Sequence, residues 1–568
     1  IGYWKRDYAL LTGTPVVAQS EGRSTPETLA VGRILSPIMA AKEGFGLLQS
    51  PPATEARLRE LGRREGLRLD LIPAEWNAMA IRLRERQSAG RFSACQYMNG
   101  MKPELGLAAM VLAAAPAEGD DKKDDKDKKK EDEIKLPEEF LGQMIKEVVM
   151  HEVGHSLGLR HNFKASTMLT AEQLNDTSIT RTKGMVGSVM DYNPINIAPK
   201  GAKQGDYTTT TIGPYDYWAI EYAYKPIDGK EEEELAKIAA RSPEPDLVFG
   251  TDEDMFLNND PLVNTYDLGS DTLRFAKDRI ALATELLKDL DDRVVRDGDS
   301  FARVRDAFSV LLNQWGNGAY LVASHVGGQS VSRDVKGKGA RDPITPVPAA
   351  KQRESLKFLV EQILSDKAFR FSPALLRRLG SEKWYDWGSG GMSGGVDYAI
   401  NEEILGIQKI AMNQCLSADV LSRLQNQELQ IDAGASPLRV AEVFRTLTDG
   451  VWTELSDKDH APEKALAIST IRRNLQREHL RRLSAIVLGS RGSSLNEAFS
   501  YVLFSNRSGY PADARSLARM HLKEIGQKIR ERLDQKEPAI DDTTRAHLEE
   551  CQFRIGKVLD AGLQSNEP

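Results

Sequence analysis

The sequence predicts an α+β chain whose C-terminal part is mainly α-helical, and three observations lead there. A helix-period segment beginning near Leu136 breaks at Gly158 into a polar, loop-rich stretch that lasts to about 225, and the β part of the class is implied by the resemblance given below. From about 400 onward apolar residues recur at helical spacing almost without interruption. At 568 residues the chain is also too long for one ordinary core. The expected division is a domain at 1–225 with a charged insertion at 118–133, a helical and loop-rich connecting region at 226–350, and a mainly helical region at 351–568.

Residues 1–90 mix short apolar runs with Pro and Gly, and 53–64 and 74–88 read as arginine-rich helices. Gly100 to Ala115 is apolar and is expected to pack beneath the helix that follows. Glu118 to Glu133 alternates Asp, Glu and Lys with almost no apolar residue. It cannot bury a face, so it reads as a solvated loop or disordered insertion. Folding resumes at Leu136-Pro137-Glu138-Glu139-Phe140, where Pro137 suits a first helical turn and the acids suit its positive end.

That helix runs through Ile145, Val148 and Val149 into His151-Glu152-Val153-Gly154-His155-Ser156-Leu157-Gly158-Leu159-Arg160-His161. His151 and His155 are four apart, so on a helix they share one face and can hold one metal ion. Gly158 allows the helix to end in a left-handed turn, which can return His161 to the same ion as a third ligand. Glu152, beside the first ligand, is placed to act as general base on a metal-activated water. Three nitrogens and one open position describe a catalytic zinc site rather than a structural one. The chain has only eight histidines, and three fall within these eleven residues, which argues against incidental polar residues on a helix.

Residues 162–225 are expected to be loop-rich and to end in a helix from Pro214 to Tyr224, with 231–241 and 271–294 as further helices. The acidic segment between them contains Asp252, Glu253, Asp254 and Asp260. It lacks the spacing of an EF-hand loop, so turn chemistry is the main reading, with Ca2+ as the alternative. Residues 328–350 read as a connecting or lid segment, 351–366 as a helix, and Trp384 to Gly395 as an aromatic and glycine loop that either lines a cleft or is mobile. Ser436-Pro437 reads as a helix start, cap then first turn. The helix at 463–488 carries Arg472, Arg473, Arg477, Arg481 and Arg482, which reads as a solvated basic face, whereas His479 and His521 sit at packing positions. Helices at 512–533 and 541–562 complete the expected bundle.

The zinc motif, the downstream Ser188-Val189-Met190-Asp191-Tyr192, and the stretches Ile212 to Tyr222 and Gly250-Thr251-Asp252-Glu253-Asp254 together resemble the metzincin clan of zinc metallopeptidases, and within it the bacterial Met-zincin type. The likeness is strong over about 91–270 and weaker to about 430. Asn162 stands where astacin-like and matrixin-like members carry an acid, which sets the chain apart from those branches. The resemblance implies a metzincin-like catalytic domain, one catalytic Zn2+ and a Met-turn in which Met190 forms a hydrophobic floor. It also implies that Tyr192, two residues after that methionine, is placed to support the oxyanion or to ligate zinc, a packed aromatic being the alternative. The expected activity is that of an endopeptidase acting on protein or peptide. Zinc hydrolysis of a non-peptide amide, or a non-catalytic protein-binding module, are the other readings. Export to the cell envelope or outside the cell is implied by the resemblance alone.

A composition of 40% hydrophobic and 28% charged residues is that of a soluble globular chain, and a net charge of −7 gives no reason to expect nucleic acid as partner. The longest apolar run, Leu105 to Ala117, is too short to span a bilayer. Cys95, Cys415 and Cys551 are far apart and odd in number, so no disulfide framework is implied, and Cys551 reads as a buried thiol. The chain begins at Ile1, which suits a mature form or a fragment, and residues 1–20 make a poor signal peptide because Asp7 and Pro15 interrupt any apolar core.

Overall fold

The computed structural model describes residues 97–112, 137–257, 260–337, 339–381, 396–432, 434–455, 465–489, 509–535 and 539–561. The helices expected at 53–64 and 74–88, the charged run Glu118 to Glu133, the loop Trp384 to Gly395 and Cys95 lie outside them.

Helix α1 (Tyr97–Leu112) is apolar on two sides, and both are used. Tyr97, Met101, Leu105 and Ala108 pack with Phe140 and Met144 of α2 (Glu138–Ser156), as the sequence leads one to expect. Leu107 and Met110 instead enter the large core of the helical body. The helix is thus a wedge between the two. Pro137 occupies the N-cap of α2, one residue before the expected first turn, and Glu138 and Glu139 lie in that turn at its positive end. At the other end Gly158 takes φ 85°, and Leu159 N–H reaches back to the Gly154 carbonyl at 3.0 Å. This is the glycine-terminated stop that the motif requires.

Beyond it the chain is irregular to residue 213, apart from single 3-10 turns and α3 (Thr177–Lys183), which Asp176 caps through Ser178 N–H. Helix α4 (Pro214–Tyr224) closes the stretch at the expected residues. Then follow α5 (Glu231–Ala239), α6 (Asp252–Leu257), α7 (Thr272–Leu286), α8 (Leu290–Val294) and α9 (Ala302–Ala323). Among the described residues the only sheet is an antiparallel pair, β1 (Gln329–Val331) with β2 (Ile344–Pro346), in register Ser330 to Thr345. The rest is helical: α10 (Ala349–Phe358), continued by a π turn over Leu359–Ile363, then α11 (Pro373–Arg377), α12 (Ile400–Cys415), α13 (Ala418–Gln430), α14 (Val440–Val451), α15 (Thr470–Leu488), α16 (Ala512–Asp534) and α17 (Asp542–Ala561). One continuous core joins α7 and α9 to α12, α14, α15, α16 and α17, from Leu273 and Phe308 through Phe444 and Leu483 to Ile555. Cys415 and Cys551 are buried free thiols inside it.

Two expectations need correction. Helix α14 starts at Val440, not at Ser436-Pro437: Glu442 accepts from Arg439 N–H, while the Ser436 and Pro437 carbonyls take hydrogen bonds from Arg353. A tertiary partner thus holds the backbone at Ser436-Pro437, and the helix begins after Arg439. The arginines of α15 are also not one solvated face. Arg472 is 3% exposed and donates to the Leu364, Gly450 and Val451 carbonyls and to Glu454, while Arg482 is buried against Glu478. Guanidinium's spread of donors lets Arg472 satisfy several carbonyls left open at the ends of neighbouring elements.

Candidate metal centre

His151 and His155 stand on the last turns of α2, and the Gly158 turn brings His161 to them. These three form the one group of His, Cys, Asp or Glu among the described residues that could hold a metal ion, with ligand atoms all within 4.8 Å of one another. Each ring is tied off on the same nitrogen. His151 Nδ1 lies 2.7 Å from the Val189 carbonyl, His155 Nδ1 3.1 Å from the Leu159 carbonyl, and His161 Nδ1 3.0 Å from Asp252 Oδ1. Each acceptor fixes the proton on Nδ1 and leaves the Nε2 lone pair for a metal. His155 and His161 bring their Nε2 atoms to 3.1 Å of each other. Two lone pairs would repel at that distance, and a shared cation removes the conflict. Burial pushes His151 down to about 4, which keeps the ring in the neutral form a ligand needs. The donor set therefore fits zinc.

Glu152 is exposed, on the residue after the first histidine. Tyr192 is buried, with its hydroxyl 3.1 Å from His161 Nε2, so it points at the metal-facing side of the triad. Met190 is fully buried beneath Gly154, where an added Cβ would stand 2.3 Å from the methionine sulfur. The turn that holds Met190 is pinned from several sides. Asp216 of α4 accepts from Ser188 Oγ and Val189 N–H, Asp191 accepts from Ser166 N–H, and Asn162 N–H donates to the Met190 carbonyl. Val189 thereby carries the acceptor for His151 on a backbone that a buried carboxylate holds.

Other residues join the site that the sequence reading did not assign to it. Tyr97 stacks on His151, with ring centroids 5.1 Å apart and planes 14° apart, and its ring also lies against Tyr192. Glu147, one turn before His151, accepts from Asn193 Nδ2 at 3.1 Å, and burial raises its carboxyl to about 7. Asp252 was legible only as one acid in a run, and its partner lies 91 positions away in sequence. The calcium alternative for that run has no support. Asp252 serves His161, Asp254 takes Thr251 N–H and Arg333, and Asp260 takes Lys164 and Val331 N–H. No helix among the described residues is long and apolar enough to cross a membrane.

A family model described as Met-zincin matches residues 133–459, which takes in the triad, the Met190 turn, the 248–260 segment and the first half of the helical body. No curated protein and no solved structure matches the chain.

Proposed function

The chain belongs to the Met-zincin family, and from that premise we propose that it is a zinc-dependent endopeptidase working from His151, His155, His161, Glu152 and Tyr192. The observation that carries this reading is the convergence of three Nε2 atoms whose rings are each held through Nδ1. Zinc bound there supplies Lewis acidity, polarising a peptide carbonyl and bringing a water's pKa towards neutral. The protein's own groups do the rest. Glu152 takes a proton from the attacking water and hands it to the leaving amine. Its exposure is compatible with access to water. The Tyr192 hydroxyl donates to the oxygen of the scissile carbonyl as negative charge develops on it. Met190 and Tyr97 contribute no proton. Met190 fills the space beneath Gly154 and Tyr97 stacks on His151, which packs the helix turn that carries the first two histidines. Residues 1–225 are assigned as the catalytic domain, 226–350 as a helical and loop-rich connecting region and 351–568 as a mainly helical C-terminal domain.

Casein zymography of the full chain, with and without a zinc chelator, tests the proposal. Clearing that the chelator abolishes and added zinc restores is the expected result. Hydrolysis of simple acyl-amides but not of casein would move the substrate class. Tight zinc binding with neither activity would leave a binding module.

A further inference from the structure

Five consecutive residues, 160 to 164, are each tied to one distant segment. Arg160 pairs with Glu253 at 2.6 Å, and His161 Nδ1 meets both oxygens of Asp252 at 3.0 and 3.2 Å. Asn162 donates to the Val248 carbonyl and accepts from Gly250 N–H, and Phe163 N–H donates to the Gly250 carbonyl at 2.7 Å. Lys164 and Asp260 form a buried ion pair at 2.5 Å. The third histidine has left α2 and has no helix of its own to aim it. The first two need none of this, because α2 sets their spacing.

We propose that Asp252 is a positioning residue for the third ligand: its carboxylate holds the His161 Nδ1 proton and sets the direction of Nε2, with the 248–260 segment as the strap that carries it. This deepens the zinc reading and rests on it. The division of labour follows from the partners. The Lys164–Asp260 pair is buried on both sides, so it anchors the strap to the fold. Arg160 and Glu253 are both more than half exposed, so their pair adds little. The Asp252 side chain is about one-third exposed and Thr251 Oγ1 donates to it at 3.3 Å, so its removal leaves no unpaired buried charge. Its work is directed at the imidazole.

The test measures zinc affinity of the full chain by chelator competition, independently of any substrate. Asp252→Ala should weaken zinc binding by about 10- to 100-fold, with Asp252→Asn, which keeps an acceptor but not the charge, falling between it and the parent. Melting of the zinc-free protein should be unchanged in both, whereas a merely structural residue would lower it. Nitrogen NMR on histidine-labelled protein should show His161 protonated on Nδ1 in the parent and a mixture of tautomers in Asp252→Ala. Glu253→Gln should bind zinc like the parent. If the parent binds zinc and Asp252→Ala binds it within about twofold, the positioning role is overturned while the zinc reading stands. If the parent itself binds no zinc, both fall. A clear fall in zinc-free melting temperature in Asp252→Ala would also overturn the role, because it would make Asp252 a folding residue.

Discussion

The sulfur of Met190 lies directly under Gly154, so close that a Cβ on that glycine would stand 2.3 Å from it. Both residues are fully buried, one on the helix between the first two histidines and the other on the pinned turn below. Glycine is needed here for approach, not for backbone angle. Gly154→Ala should therefore lower stability, because overpacking costs roughly 1–3 kcal/mol and better helix propensity returns only about 0.5–1. It should also displace the two histidine rings that flank it. Thermal melting and zinc titration of the variant check this, and wild-type values for both would mean that the methionine simply moves aside.

Glu152 is not among the metal-facing nitrogens, and its removal should separate binding from chemistry. Glu152→Gln is expected to retain zinc at parent affinity while hydrolysis of a peptide substrate falls by roughly 100-fold or more. Parent-like turnover in a variant with full zinc content would reject Glu152 as the base.

Tyr192 can be assigned by two readouts together. Tyr192→Phe keeps the ring that packs between Tyr97 and Phe163, so fold and zinc content should survive. Turnover should fall by roughly 10- to 1000-fold with little change in KM, the cost of one transition-state donor. Cobalt-substituted protein should change its visible spectrum on the same substitution if the phenol also ligates metal. An unchanged kcat would return Tyr192 to a packing role.

The helical body holds an acid-sensitive group of its own. Burial lowers His521 to about 4 and His479 to about 3, so both are neutral in the folded chain at pH 7. Neither ring nitrogen of His521 has a hydrogen-bond partner among the described residues. The charged groups around it are Arg445 and Asp449 on α14 and Glu524 and Lys528 on α16. A folded pKa below the unfolded value means that the unfolded chain binds more protons, so stability is complete above about pH 6.5 and is lost as pH falls towards 4. His521→Leu removes that linkage. At pH 5 the variant should have lost about 2 kcal/mol less than the parent, relative to each at pH 7.5, as read from denaturant unfolding. Parallel pH profiles would show that His521 is not the group responsible.

The candidate metal ligands were legible because the first two share one local geometry. A spacing of four on a helix puts His151 and His155 on one face, and the glycine turn brings His161 into their neighbourhood, while its aim is set by distant contacts. What supports them was not legible, because it is set by tertiary contact. Asp252 reads as one acid among several in a turn-rich stretch until the fold lays it on His161. Tyr97 reads as the start of an apolar helix until it stacks on His151. Arg472 reads as a surface charge, since no pattern of neighbours in sequence reveals that three backbone carbonyls from two other elements will meet it. The start of α14 also depends on tertiary contact: Arg353 holds the Ser436 and Pro437 carbonyls, and the helix begins only at Val440.

The span between His161 and the strap also bears on how the protein is made. A chain leaving the ribosome exposes the whole eleven-residue motif well before residues 248–260 have been translated. Until then residues 160 to 164 lack the partners that residues 248 to 260 supply, Asp252 for His161 among them. Nascent chains, and products cut anywhere between 165 and 247, carry every ligand by name but lack the frame that aims the third. If Asp252 aims His161 as proposed, a truncated product that still reads as intact at the motif is expected to be a poor competitor for zinc.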